Sequence, residues 1–275
     1  MASFFEHEGR RLAYTVYGDG PRTTVLLHGL LLSQKMHRPL AKALARQGNR
    51  VVTMDLLGHG RSERPRDMTA YSMPFFGEQV IALLDHLEVD EAVLAGTSLG
   101  ANTTLEAAAA HPDRVRGMVV EMPVLDNALL GCAIAFTPLM CALTFGEPVM
   151  QGVSWLTRRV PTGRLWGADV LLDTVRQDPG PSAAVLQGLF FGRVAPHRDI
   201  RRTIAAPALV IGHDRDPVHP FSDSDALVSE LPDARLLRAD SFLELRLTPE
   251  RLTNEIAAFI DGCWKPRRRG RARAA

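Results

Sequence analysis

The sequence predicts an α/β protein, with a mostly parallel sheet flanked by helices and a block of helices inserted into it. Short, nearly continuous apolar runs rich in Val and Leu recur, each closed by turn residues, as in strands buried on both faces. Between the later ones lie segments with apolar residues three and four apart, the spacing of a helix that covers a sheet. This alternation stops near residue 123 and resumes near residue 203.

The elements follow in order. Residues 11–17, 23–27 and 50–55 read as strands, with a helix over 39–47 before the third. A helix over 75–87 leads to a strand over 92–96. Residues 99–110, rich in Ala and Leu, strong helix formers, then read as a helix that ends before His111-Pro112. A strand over 116–121 closes the first half. Residues 123–202 are rich in Leu, Phe and Met and are interrupted by Pro138, Pro148, Pro161, Pro179 and Pro181, which predicts several short helices. The rhythm returns with strands over 208–211 and 234–239 and helices over 223–231 and 248–264. Thr248 is the expected N-cap of the last helix, with Pro249 at its first position and Glu250 beside the positive end of its dipole. The expected division is a core of residues 1–122 and 203–264, a helical cap of 123–202, and a disordered basic tail of 265–275.

Composition narrows the function classes. The 275 residues are 46% hydrophobic and 23% charged, enough for a large core. The net charge of +1 divides unevenly: Lys265, Arg267, Arg268, Arg269, Arg271 and Arg273 carry six positive charges with no acid among them, leaving residues 1–264 at −5. A mildly acidic body is not expected to bind nucleic acid. Cys132, Cys141 and Cys263 are too few and too scattered for a disulfide framework or a four-cysteine metal site, so no metal or cofactor is expected. The amino terminus lacks the pattern of a secretory signal, and the expected location is cytoplasmic. Residues 127–146 contain no charge and approach the length of a bilayer span. Gly131 and Pro138 argue against one unbroken helix there, so a buried or pocket-lining helical pair without stable membrane insertion is expected.

The residues that carry chemistry begin with Gly96-Thr97-Ser98-Leu99-Gly100, a G-x-S-x-G at a strand-to-helix junction. A serine on so sharp a turn is exposed for attack, and glycines two residues to each side relieve collisions with the neighbouring elements. Upstream, the strand 23–27 ends in His28-Gly29-Leu30. Asp55 precedes Gly58-His59-Gly60-Arg61-Ser62, which lacks the lysine and spacing of a phosphate-binding loop and reads as structural. Downstream stands Gly212-His213-Asp214-Arg215-Asp216-Pro217.

In this order and context the motifs resemble the α/β-hydrolase fold superfamily over roughly residues 5–264. The resemblance implies a helical cap inserted after the sixth strand and a catalytic order of serine, acid, then histidine. It implies Ser98 as nucleophile, Asp216 as acid with Asp214 as its neighbour and alternative, and the N–H groups of Leu30 and Leu99 as oxyanion hole. His28 and Gly29 would shape the loop beside the substrate. The same fold hosts many activities and some non-catalytic receptors.

The chain departs from the pattern at the base. Aligning on Pro249-Glu250 puts Ser241-Phe242 where Gly-His is expected, and no histidine follows His219. A serine hydroxyl without a base is a poor nucleophile at neutral pH. His219, three residues beyond Asp216, is the first candidate for a displaced base and His28 the second; His7, His37, His59, His86, His111 and His197 are expected at surface or loop positions. Glu121 or Glu244 would serve in a reaction that needs no acyl-enzyme, given a carboxyl raised by burial. A lyase-like or purely ligand-binding member of the fold is the alternative. Phe136, Met140, Trp155 and Phe242 are the expected substrate contacts, and the expected partner is a small apolar ester, thioester or related carbonyl compound.

Overall fold

The structure, a computed structural model, describes residues 3–161, 163, 166–214, 216 and 218–265. Beyond Lys265 the expected basic tail lies outside the described residues. Eight strands form one sheet: β1 (Ser3–His7), β2 (Arg10–Tyr17), β3 (Arg22–Leu27), β4 (Asn49–Asp55), β5 (Ala92–Thr97), β6 (Val115–Glu121), β7 (Ala208–His213) and β8 (Ala234–Ala239). Their order is β1-β2-β4-β3-β5-β6-β7-β8, antiparallel from β1 to β4 and parallel from there on. Strand β1 was not expected from the sequence, because only Phe5 of its five residues is buried and no apolar run marks it.

Period-two alternation divides the central strands between two cores. Val25, Leu27, Met54, Leu94 and Val120 face helices α2 (Met73–His86) and α3 (Leu99–Ala110). Leu26, Val51, Val93, Val119 and Ile211 face α1 (Arg38–Arg46) and α11 (Glu250–Cys263). A fully buried side chain such as Leu94 contributes about 1.5–3 kcal/mol, and its truncation to alanine costs about 2–5 kcal/mol. Thr248 does not cap α11, because its N–H closes the short α10 (Glu244–Leu247) on the Glu244 carbonyl at 2.9 Å. Pro249 stands at the cap position instead.

After β6 the chain leaves the sheet and builds α4 (Leu129–Phe145), α5 (Glu147–Thr157), α6 (Trp166–Val175) and α7 (Pro179–Phe190). It returns through α8 (Arg198–Arg201) to β7, which α9 (Phe221–Glu230) follows. Both ends of this excursion are tied to the core by carboxylates. Asp223 on α9 accepts from the backbone N–H groups of Leu125, Asn127 and Ala128 and from the Asn127 amide, at 2.7–3.0 Å. Buried Glu106 on α3 holds Arg193 through two bonds of 2.5 and 3.0 Å.

Helix α4 departs from expectation. It runs unbroken through Pro138, and of its residues only Leu143 is buried. Pro138 takes one N–H out of the helical ladder, and the carbonyl it would have met belongs to Ile134, which is 68% exposed. Leu130 and Phe145 are 72% and 83% exposed. By length and composition, Asp126–Phe145, with a mean hydropathy of 2.0, is apolar enough to cross a membrane.

Candidate active site

Strand β5 delivers Ser98 to the first turn of α3 with φ of 54°, in the left-handed region that a non-glycine residue rarely occupies. The turn survives because both flanking positions lack side chains. A Cβ on Gly96 would run into the Gly100 carbonyl, and one on Gly100 into the carbonyl of Leu27. The Ser98 N–H is anchored on the Glu121 carbonyl of β6 at 2.9 Å. Strain here is held by the packing of two strands and a helix, and it turns the hydroxyl outward.

Two residues of the loop after β7 stand in line behind that hydroxyl. His219 Nε2 lies 2.9 Å from Ser98 Oγ, and His219 Nδ1 lies 2.9 Å from Asp216 Oδ2. With the carboxylate accepting from Nδ1–H, Nε2 is left with its lone pair facing the serine hydroxyl. The other oxygen of Asp216 accepts from the N–H groups of Val218 and His219 at 2.9 and 3.0 Å, which closes the loop on itself. Burial alone would raise the Asp216 carboxyl, but the hydrogen bonds from the His219 ring and backbone outweigh it and hold it below its ordinary value. Asp214, the alternative acid, instead makes a two-bond pair with Arg238 at 2.8 Å.

His28 is buried behind this group and cannot reach it as a base. Its Nε2 accepts from the Leu56 N–H at 3.0 Å, so Nδ1–H donates to the Gly29 carbonyl at 2.8 Å. Burial lowers its pKa, so the ring is neutral and serves as a strut for the loop after β3. That loop carries Leu30 over the first turn of α3, where N–H groups have no intrahelical acceptor. Leu30 and Leu99 both line the cavity beside Ser98.

The cavity has a volume of about 290 Å³. Helix α4 supplies Leu129, Cys132, Ala133 and Phe136 to its walls and α7 supplies Leu186, Leu189 and Phe190. Met73, Val124 and Val194 complete an apolar lining in which Ser98, His219, Asn102 and Cys132 are the polar members. Asn102 is already committed. Its amide donates to the Val124 and Val194 carbonyls at 2.7 and 2.6 Å and accepts from the Val124 N–H, stitching the departing and returning cap segments together. Burial pushes the Cys132 thiol up to about 11, so it is protonated at neutral pH.

A family profile described as alpha/beta hydrolase fold matches residues 24–134. The chain is 35% identical over 114 residues to a putative non-heme haloperoxidase of Mycobacterium phage D29, covering 41% of this chain and 40% of that protein. It is 30% identical over 240 residues to the dihydrolipoyllysine-residue acetyltransferase component of the acetoin cleaving system of Pseudomonas putida, covering 79% of this chain and 59% of that one. The chain thus spans less than two thirds of the length of either relative. The crystal structure of the enol-lactonase from Burkholderia xenovorans LB400 superposes with a TM-score of 0.75 at 22% identity, covering 94% of this chain and all of that one. The chain has the α/β-hydrolase fold.

Several expected roles do not match their surroundings in this fold. Of the expected substrate contacts, Phe136 lines the cavity and the others do not. Met140 packs with Leu31 and Leu143 away from it. Trp155 is 58% exposed, its ring covered by the Arg159 guanidinium at 3.3 Å. Phe242 is 43% exposed on the loop after β8. His28 and Gly29 stand behind the loop rather than against the cavity, and Gly29 leaves room for Ser98, whose Cβ would lie 3.9 Å from an added methyl.

The carboxylates proposed as proton shuttles are paired instead. Glu121 is buried and accepts from Thr97 Oγ1 at 2.6 Å and from Arg246 at 2.5 Å, with His213 Nε2 at 3.4 Å. Burial would raise its carboxyl, but Arg246 and His213 outweigh burial and hold it below the ordinary range. Glu244 is held down first by its bonds to Arg251. His37 and His59, expected at the surface, are buried, each bonding a backbone carbonyl. Desolvation brings His37 down to about 4 and His59 well below its ordinary value, so both are neutral. Sequence reasoning missed Asn102 and Arg246, and it singled out Glu121 without its partner. An asparagine one turn into an otherwise Ala/Leu/Thr helix was the available signal for the first.

Proposed function

We propose that the chain hydrolyses a small apolar ester or thioester through an acyl-enzyme on Ser98. The observation that carries this reading is the pair of 2.9 Å contacts linking Ser98 Oγ to His219 and His219 to Asp216. In the first half-reaction His219 Nε2 takes the Ser98 proton as Oγ bonds to the substrate carbonyl carbon. The carbonyl electron pair moves to oxygen, where the Leu30 and Leu99 N–H groups hold it; each such donor is worth about 3 kcal/mol in the transition state. Collapse expels the alkoxide or thiolate, which takes the proton from His219 Nε2. In the second half, water gives a proton to Nε2 and attacks the acyl carbon, and Ser98 leaves with that proton. Asp216 stays ionised throughout and stabilises the imidazolium.

The substrate class follows from the lining. With Asn102 saturated by backbone groups and Cys132 protonated, the walls offer no charge to a ligand away from Ser98 and His219. The acyl side of the substrate is therefore apolar, and a volume of about 290 Å³ stands at the small end of ligand pockets. The chain's relatives named as hydrolases make this activity class the natural one to test. Intact protein should be labelled by a fluorophosphonate at Ser98 and should hydrolyse short-chain p-nitrophenyl esters, while Ser98→Ala does neither. An unlabelled Ser98 in folded protein, under conditions that label an ordinary serine esterase, would sink the reading.

A further inference from the structure

A second concavity lies on the other side of the loop that follows β3. Leu30 of that loop lines the Ser98 cavity, whereas Ser33 and Gln34 line a groove of about 580 Å³. Its walls carry six cations, Lys35, Arg38, Lys42, Arg61, Arg64 and Arg176, against two carboxylates. Six cations against two carboxylates leave the walls at +4, and the Asp55 charge acts on Arg64. Asp55 already accepts from the Gln34 N–H, the Gln34 amide and the Arg61 N–H, at 2.7, 2.8 and 3.1 Å. Asp173 is paired with Lys35 at 2.5 Å.

The remaining cations have no acid partner among the described residues. Arg64 is half-buried and bonds only neutral acceptors, the Gly58 carbonyl, Gln177 and Ser182. Arg176 bonds the carbonyls of Thr157 and Val160. The side chains of Arg38, Lys42 and Arg61 make no hydrogen bond or ion pair among the described residues. So strong a local excess of positive charge, in a body whose first 264 residues carry −5, calls for a polyanion.

We propose that this groove binds a multiply charged phosphate ester of about nucleotide size, which bridges the core and the cap. The guanidinium groups of Arg38 and Arg61 on the core offer whole forks to phosphate oxygens, while Arg64 and Arg176, whose Nε and Nη2 groups already hold protein acceptors, add charge from the core and the cap. Nothing in this proposal depends on the reaction at Ser98.

The test is calorimetric titration of the full chain with pyrophosphate, with ADP and with citrate at fixed ionic strength, alongside thermal melting. Saturable binding of pyrophosphate or ADP with a Kd below about 1 mM, and a melting temperature that rises with ligand, is expected. The double variant Arg38→Ala/Arg61→Ala should weaken that binding at least about tenfold, because each lost phosphate contact removes a charge-assisted bond. Both side chains are exposed, so the variant should fold and keep its fluorophosphonate labelling rate within about twofold. No saturation of either phosphate probe at about 10 mM, or equal affinity in the double variant, overturns the site. Citrate bound as tightly as pyrophosphate overturns the phosphate preference.

Discussion

The loops that follow β7 and β8 leave neighbouring parallel strands at the same end of the sheet, and they use their polar residues in opposite ways. The first directs its charge at Ser98: Asp216 and His219, three residues apart, form a relay that ends on the serine hydroxyl. The second spends its charge on the scaffold, with Arg246 on Glu121 and Glu244 on Arg251, while Phe242 faces outward. A base therefore need not come from a particular strand. It must bring a lone pair to within about 3 Å of the hydroxyl, with an acid behind it.

The largest effect that sharpens this contrast is at His219. His219→Ala should lower kcat/KM for a p-nitrophenyl ester by ~10⁴-fold or more, with urea unfolding little changed, since the ring is a partner of the reaction more than of the core. Asp216→Asn should follow closely, at ~10³–10⁴-fold, because an amide no longer favours the tautomer with its lone pair toward Ser98. If the His219 variant kept more than about a tenth of wild-type activity, the loop after β7 would not hold the base.

These residues were unequally visible in the sequence. Ser98 was legible because sterics demand glycine at positions 96 and 100, and the order of strands and helices was legible because apolar period reports burial. His219 stood out only as a histidine near an acid. A side chain 121 residues from its partner leaves no local pattern, and the position where a base was expected held Phe242. The exposure of α4 was hidden for a related reason: composition separates apolar from polar segments but does not say what covers an apolar face. His37 and His59 escaped as core residues because backbone carbonyls satisfy them, and such bonds have no signature in side-chain sequence.

The scaffold role of the second loop should appear as stability. Arg246→Met strips buried Glu121 of its cation and should cost about 3–5 kcal/mol in urea unfolding, with activity lost only as far as the fold is lost. The pair also sets an acid limit. The folded carboxyl of Glu121 is held below the ordinary value of about 4, so its contribution is complete above that pH and is lost as pH falls toward the depressed folded value. Wild-type protein should therefore lose stability on acidification below about pH 4, and the Arg246 variant should show a shallower loss there. A variant as stable as wild type at pH 7 would mean the pair does no structural work.

The smallest effects test whether the division is clean. Asp214 is two residues from Asp216 on the same loop, but its carboxylate is given to Arg238, and both partners of that ion pair are well exposed. Exposed pairs contribute at most about 1 kcal/mol, so Asp214→Asn should leave kcat/KM within about threefold and melting nearly unchanged. Phe242→Ala should be equally mild, because the ring neither lines the cavity nor belongs to the buried core. The two substitutions bracket the relay, one from inside the loop after β7 and one from the position that the family pattern reserves for a base. A tenfold loss from Asp214→Asn would move the acid by two residues. The same loss from Phe242→Ala would bring the loop after β8 back to the site and end the contrast between the two loops.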